Sequence, residues 1–129
     1  MTAKLDHIGL DVSDYEASKA FYERALAPLG IRMLMEPAPE VGGFGEAFPF
    51  FWIARRDRGS DNGVHVAFTA EDRDTVDAFH AAALAAGGSD NGEPGVREIY
   101  HPNYYGAFVL DPDGNNVEAV CHRPPERLP

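Results

Sequence analysis

Three side chains of this sequence have the chemical types and the placement that a metal site requires. His7 and His65 stand at corresponding points of two similar stretches, 58 positions apart, and Glu118 lies near the end of the chain. Two imidazoles and one carboxylate can bind a divalent cation on one side and leave about three octahedral positions open. A substrate could occupy those positions through two oxygens, with the ion acting as a Lewis acid. The ligand types predict one divalent ion, and Zn, Ni, Mn, Fe and Co are all compatible with them.

The neighbouring residues of each candidate indicate how strongly it is predicted to be a metal ligand. A histidine on a strand usually does no more than satisfy a hydrogen bond, so His7 alone is weak evidence. Its repetition as His65 favours a shared role for the two. Glu118 is flanked by Val117 and Ala119, and a carboxylate among apolar neighbours needs a cation or hydrogen-bond donors to offset its desolvation. We therefore interpret all three residues as ligands.

The chain carries the pattern around the two histidines twice. Residues 5–26 read LDHIGLDVSDYEASKAFYERAL, and residues 64–84 read VHVAFTAEDRDTVDAFHAAAL. The offset between matching positions stays constant from the histidines to the apolar positions that follow them. A repeat of this kind indicates one structural unit used more than once. Two copies are too few for a solenoid, so we expect two half-domains that pair to close one core.

Each repeat begins with a strand followed by a helix. Alternation of apolar and polar residues over 5–12 predicts a half-buried strand with His7 on the face opposite to its apolar residues. The same alternation over 64–69 places the second histidine equivalently. Ser13 is the predicted N-cap of the first helix, with a glutamate three residues on completing a capping box, and Asp72 is the predicted cap of the second. Both histidines are therefore expected on the side of their strands that faces away from the helices.

Three further strands are expected after the helix in each half. The segment 89–95, SDNGEPG, is interpreted as a turn, and 57–63, DRGSDNG, as the linker between the halves. The predicted strands are 31–35, part of 40–47 (a short strand or hairpin loop) and 48–54 in the first half, and 96–100, 105–110 and 116–122 in the second.

This order predicts an α+β fold for a single domain, 1–129. One helix and several strands per half are typical of helices packed on one face of a sheet. We expect two pseudo-symmetric βαβββ modules, at approximately 4–57 and 62–122, that form a curved mixed sheet with the helices on its outer face. The proline-rich, polar tail at 123–129 is expected to be flexible.

Composition limits the range of partners. The formal net charge is −10, and such a surface repels phosphate backbones and anionic lipids, so we expect no nucleic acid and no membrane as partners. No apolar run approaches the roughly 18 residues that a membrane span requires. One cysteine and an N-terminal stretch without the features of a signal peptide favour a cytoplasmic protein.

These stretches resemble a known family. The residues DHIGLDVSDYEASKAFYERAL, VHVAF and YYGAFVLDPDGNNVEAV are similar to those of small two-module members of the vicinal oxygen chelate superfamily, also called the glyoxalase/bleomycin resistance protein/extradiol dioxygenase family. The resemblance implies paired βαβββ modules and metal ligands at His7, His65 and Glu118. It also implies a small-molecule substrate bound through vicinal oxygens, and a homodimer.

The resemblance leaves the reaction open. Glyoxalase I enzymes carry a fourth ligand, usually glutamate, on the fourth strand, where this chain reads FFWI at 50–53. The absence of a carboxylate there argues against a lactoylglutathione lyase, although Glu46 lies just upstream. Related lyase or isomerase, transferase and dioxygenase reactions all fit the three-ligand set. The alternative is a non-catalytic protein of the bleomycin-resistance type that sequesters a small molecule.

Further candidates surround the proposed ligands. Tyrosine and histidine can act as general acids or donate to a substrate oxygen, and aromatic side chains can line a pocket. His80 is expected at the surface of its helix, and His122 too far along its strand from Glu118 to bind the same metal. The catalytic candidates are Glu118, Tyr100, His101 and Tyr105, and the pocket candidates are Phe44, Phe50, Trp52 and Tyr104.

Overall fold

The computed structural model describes residues 5–56 and 64–125. The predicted linker and the last four residues of the predicted tail lie outside these ranges. The elements are β1 (Ile8–Val12), α1 (Tyr15–Ala25), a 3-10 turn (Ala27–Leu29), β2 (Arg32–Ala38), β3 (Val41–Gly45), β4 (Pro49–Arg55), β5 (His65–Thr69), α2 (Arg73–Ala85), β6 (Ser89–Val96), β7 (Tyr105–Leu110) and β8 (Asn116–Cys121).

The strands form two four-stranded sheets with the same topology. The first has the order β1-β4-β3-β2 and the second β5-β8-β7-β6. In each sheet the strand before the helix pairs in parallel with the last strand of the same half, and the remaining pairs are antiparallel. This arrangement confirms the predicted α+β fold of two βαβββ modules. No helix in the described ranges is long and apolar enough to cross a membrane.

One hydrophobic core joins the two modules on the helix side of the sheets. Strand alternation places Leu10 and Val12 of β1 in this core, as predicted. Phe51 of the first sheet and Phe68 of the second meet edge to face, with ring centroids 5.2 Å apart, a favourable geometry for aromatic pairs. The opposite face of each sheet carries no helix of the described ranges. We call it the open face, and the candidate ligand residues of β5 and β8 lie on it.

The turn between β7 and β8 ties the second module to the first. Asp111 is buried and accepts a hydrogen bond of 2.5 Å from the Tyr22 hydroxyl of α1. It also accepts from the backbone N–H groups of Asp113 and Asn115 within the turn. Burial and the neighbouring Asp111 raise the pKa of Tyr22 well above its usual value, so its hydroxyl stays a donor. The Asp-Pro-Asp-Gly-Asn turn is therefore an inter-module joint.

Three local predictions were wrong. Asp14, rather than Ser13, caps α1 and accepts from the Ala17 N–H at 3.1 Å, while Asp72 caps α2 as predicted. The sixth strand begins at Ser89, within the segment interpreted as a turn, and ends before most of the predicted 96–100 strand. His80 is buried rather than exposed, because its Nε2 pairs with Asp90 Oδ1 at 2.8 Å across α2 and β6.

Candidate metal centre

The second sheet brings two of the proposed ligands together on its open face. Ala67 of β5 pairs in register with Glu118 of β8, so His65, two residues earlier on β5, projects from the same face. His65 Nε2 lies 3.1 Å from Glu118 Oε1. The Glu118 side chain is almost fully enclosed, at 2% exposure, whereas half of the imidazole is accessible. A buried carboxylate thus stands beside an imidazole that a ligand can reach.

A hydrogen bond to the backbone sets the orientation of this imidazole. His65 Nδ1 lies 3.1 Å from the carbonyl oxygen of Asn116. A carbonyl can only accept, so Nδ1 carries a proton and, in the neutral ring, Nε2 directs its lone pair toward the carboxylate. Either a proton or a cation must then lie between Nε2 and Glu118. Backbone contacts of this kind commonly orient metal-bound histidines.

The spacing of the two atoms fits a shared metal ion. At the roughly 2.1 Å bond lengths typical of imidazole nitrogen and carboxylate oxygen, adjacent ligands in an octahedron are about 3 Å apart. The observed 3.1 Å separation matches that value. The separation of His65 Nε2 and Glu118 Oε1 is therefore compatible with two ligands of one divalent ion.

Tyr104 fixes the second oxygen of the carboxylate. Its hydroxyl donates to Glu118 Oε2, and burial together with this contact raises the pKa of Tyr104 above its usual value, which keeps the hydroxyl protonated. Gly106 provides the room, because a Cβ at that position would lie 3.1 Å from both Glu118 Oε2 and the Tyr104 ring. Tyr104 thus donates to one oxygen of the Glu118 carboxylate, and His65 lies beside the other.

We expect Tyr104→Phe to weaken metal binding about tenfold, as removal of an outer hydrogen-bond partner of a ligand typically does. The substitution keeps the ring and removes only the hydroxyl that orients Glu118. Titration with Zn(II) against a competing chelator measures the affinity. Tyr100→Phe is the matched control, since Tyr100 is exposed and its ring packs against Tyr104 at an angle of 48°. Equal affinities for the two variants would contradict this role.

His7 does not join this pair within one chain. It precedes β1, is largely exposed, and places Nδ1 2.7 Å from the Asp6 carboxylate. Among residues 5–56 and 64–125, no group of three or more His, Cys, Asp or Glu side chains is close enough to hold a metal ion. The described part of the chain therefore assembles two of the three predicted ligands, and the three-ligand set stays a prediction.

The predicted catalytic residues near Tyr104 take different positions. His101 Nε2 lies 2.8 Å from His122 Nδ1, and both rings pack edge-on against Tyr104, so they support that ring without contacting Glu118. Tyr105 is not at the site. Alternation along β7 turns it to the helix side, where its hydroxyl donates to Asp77 at 2.6 Å. Burial and that carboxylate raise the pKa of Tyr105 to about 12.

The predicted pocket residues are divided between core and open face. Phe44 is fully buried and faces Phe51 in the core, so it cannot contact a ligand on the open face. Trp52 lies on the open face of the first sheet, with its ring over Gly43, where a Cβ would come within 2.7 Å of the indole. Phe50 lines a surface depression near His7, and Tyr104 holds Glu118.

Sequence reasoning missed two residues on the open face of the second sheet. Phe108 pairs in register with Glu118 and stacks on His65, with ring centroids 6.2 Å apart and planes at 25°. The alternation of side-chain direction along β7 could have predicted that Phe108 lies on the open face. Arg97 lies over the Phe108 ring, and no sequence pattern pointed to that contact.

A paired βαβββ fold with a histidine and a glutamate on the open face defines the glyoxalase class of architecture. Residues 4–119 match the Glyoxalase/Bleomycin resistance protein/Dioxygenase superfamily. The match covers most of the sequence, and the chain belongs to this superfamily. No curated protein matches it significantly.

Solved structures agree with this assignment. A glyoxalase/bleomycin resistance protein from Albidiferax ferrireducens T118 is 31% identical, with a TM-score of 0.78 over 90% of this chain and 97% of that one. A glyoxalase/bleomycin resistance protein/dioxygenase family enzyme from Burkholderia phytofirmans PsJN has a TM-score of 0.75 at 20% identity. This match covers 94% of this chain and 100% of that one. A lactoylglutathione lyase from Agrobacterium tumefaciens has a TM-score of 0.66 at 20% identity, and the match covers 93% of this chain and 94% of that one. The last two likenesses concern the fold alone.

Proposed function

We propose that this protein is a metal-dependent enzyme that binds a small substrate through vicinal oxygens on one divalent ion. The observation that carries the proposal is the 3.1 Å contact of His65 Nε2 with Glu118, in which the backbone carbonyl of Asn116 directs the Nε2 lone pair at the carboxylate. When bound, the ion would supply Lewis-acid stabilisation of an enolate-like or alkoxide oxygen. His65 and Glu118 hold it, and Tyr104 keeps the carboxylate oriented.

The residues around the pair define the space left for a substrate. The open face of β5 carries Ala67 and Thr69 beyond His65, and these small side chains leave room above the sheet. Phe108 pairs in register with Glu118 and stacks on His65, so it borders this space on one side. No carboxylate stands on β4, so we propose a glyoxalase-like isomerase or lyase step, or a related transferase or dioxygenase reaction, rather than lactoylglutathione lyase activity.

We further propose that His7 completes the metal site of a second copy of the chain in a homodimer. His7 lies beside a depression lined in part by Leu5, Phe48 and Phe50. Leu5 is 78% and Phe48 79% exposed, and large exposed apolar side chains in one patch are typical of interaction surfaces. A twofold dimer would place the open face of one first sheet over the second sheet of its partner and create two equal sites.

Metal content tests the site. We expect near-stoichiometric divalent metal in the wild type after reconstitution with Fe(II), Mn(II), Ni(II) or Zn(II), and little in His65→Ala. Elemental mass spectrometry of the dialysed protein gives the ratio of metal to chain. A wild type that retains little of any of these ions would contradict the enzyme proposal.

Mixing two defective variants tests whether partners share the site. His7→Ala and His65→Ala each lack one ligand at every site of their own dimers. If a site combines His7 of one copy with His65 of the other, a mixed dimer has one intact site, and an equal mixture regains about a quarter of the wild-type metal content. If all ligands come from one chain, mixing restores nothing.

A binding protein without catalysis is the second candidate. The separation of 3.1 Å between His65 and Glu118 also suits an imidazolium–carboxylate ion pair, which needs no metal. In that case the two open faces would enclose a ligand, with Trp52 and Phe108 as stacking surfaces. Failure of the wild type to take up metal, together with tight binding of an aromatic ligand, would favour this function.

A further inference from the structure

A cationic side chain shares the open face of the second sheet with the candidate ligands. Arg97 follows β6, and its guanidinium carbon lies 5.4 Å from the centroid of the Phe108 ring. The same ring stacks on His65 and pairs in register with Glu118. Arg97 and His65 thus both contact the Phe108 ring.

Two glycines make room for this guanidinium. A Cβ at Gly95 would lie 3.0 Å from Arg97 Nη1, and a Cβ at Gly92 3.2 Å from Nη2. A Cβ at either position would require the guanidinium to shift. Nη2 also donates to the carbonyl oxygen of Glu93 at 2.7 Å, which holds the group in place over Phe108. The guanidinium is thus positioned by the strand beneath it.

The positive charge of Arg97 is not balanced by a carboxylate in the described ranges. Its polar contact is with a backbone carbonyl, and no ion pair joins it to Asp or Glu, although the protein carries a net charge of −10. A guanidinium has five N–H donors in a planar fork that matches a carboxylate or phosphate. Within residues 5–56 and 64–125, one of these donors is bound to Glu93 and the others can bind a ligand.

We propose that Arg97 binds an oxyanion of the substrate, so that the enzyme selects small anionic molecules over neutral ones. This inference rests on the proposed function, because the vicinal oxygens of the substrate would lie at the metal while its anionic group reaches Arg97. The body of the molecule would lie against Phe108. The substrate class is therefore a compact, planar or near-planar acid whose vicinal oxygens lie at the end opposite its anionic group.

A pair of probes that differ only in charge tests the proposal. The probes 3,4-dihydroxybenzoate and 3,4-dihydroxybenzamide share the vicinal oxygens and the ring, but only the first carries a carboxylate. Calorimetry on Zn(II)-loaded wild type is expected to show at least about tenfold tighter binding of the benzoate, since a charge-assisted bidentate contact is stronger than a neutral one. In Arg97→Gln the two affinities are expected to fall within about twofold of each other, with benzamide binding unchanged.

Matched variants separate this effect from general loss of charge or fold. Arg24→Gln removes the same charge from an exposed position in the last turn of α1 and is expected to keep the wild-type preference. Arg97→Lys keeps the positive charge but removes the planar set of N–H donors. It is expected to prefer the benzoate to an intermediate degree. It also serves as the test variant should Arg97→Gln fail to fold. Equal binding of the probes to wild type, no binding of either, or an undiminished preference in both Arg97 variants would overturn the proposal.

Metal counts on the same samples distinguish this proposal from the proposed function. If the wild type takes up metal but shows no preference for the benzoate, the Arg97 proposal alone fails. If the wild type takes up no metal, yet metal-free protein prefers the benzoate and Arg97→Gln loses that preference, the anion site stands and the metal-dependent function fails.

Discussion

Glu118→Gln is expected to abolish metal binding, with a loss of affinity of about 100-fold or more. Loss of an outer partner of a ligand costs about 10–100-fold, and loss of the anionic ligand itself is expected to exceed that. The amide keeps the volume of the side chain and can still accept from the Tyr104 hydroxyl. The variant therefore removes charge rather than packing. Elemental analysis after reconstitution measures the loss.

Glu36→Gln is the matched control for this substitution. Glu36 also accepts a hydrogen bond from a tyrosine, Tyr15, at 2.5 Å, and pairs with Lys19 at 3.1 Å, but no histidine stands beside it. Its substitution should leave metal content at the wild-type level. Thermal melts give an independent measure, because a ligand that binds only the folded state raises the melting temperature. Zn(II) should raise it for wild type and Glu36→Gln and leave it unchanged for Glu118→Gln. Retained metal in Glu118→Gln would remove Glu118 from the site.

The repeat carried most of the information about the site. Two histidines at equivalent positions and one carboxylate in an apolar strand identified the pair that the structure brings together, His65 and Glu118. The contact of Tyr104 with Glu118 depends on how the chain turns between β6 and β7, and no periodic pattern encodes that turn. Arg97 was missed for the same reason. It follows β6 in the same connection, and no periodic pattern predicts that its guanidinium lies over Phe108.

The error at β6 shows where local signals fail. The segment SDNGEPG has turn residues at nearly every position, yet it forms an edge strand paired with β7, with irregular register at Gly92. Strand formation depends more on pairing partners than on intrinsic preference. Burial of His80 has a similar origin, because it depends on Asp90 of that same strand. By contrast, β1, β5 and β8 were predictable because each buries one face in the core.

The position of His7 marks the limit of reasoning from one chain. Its equivalence to His65 in the repeat predicts an equivalent function. The repeat does not say whether the two histidines that share a site belong to one chain or to two. The exposed imidazole and the apolar depression beside it fit a site completed by a second chain. A repeat thus predicts which residues share a role, but it does not predict how many chains build the site.

Asp111→Ala is expected to lower the free energy of unfolding by about 3–5 kcal/mol, because several donors lose their acceptor and each buried one left unsatisfied costs about 1–3 kcal/mol. Asp111 is 5% exposed and accepts from the Tyr22 hydroxyl, two backbone N–H groups of its own turn and the Asn115 amide. The alanine leaves the hydroxyl of Tyr22 buried in the core without its acceptor. Urea denaturation of metal-free protein, followed by circular dichroism, measures the change.

Asp113→Ala compares the buried acid of this turn with a more exposed acid of the same turn, which also contacts the first module. Asp113 accepts from the Ser13 N–H at 3.1 Å near the surface, so its loss is expected to cost only about 1 kcal/mol. Native domains are stable by about 5–15 kcal/mol, and the larger loss therefore brings the protein close to unfolding while the smaller one does not. Equal costs for the two variants would contradict the larger role assigned to Asp111. A much larger cost for Asp111→Ala would show that its buried hydrogen bonds contribute more to stability than the surface contacts of Asp113 do.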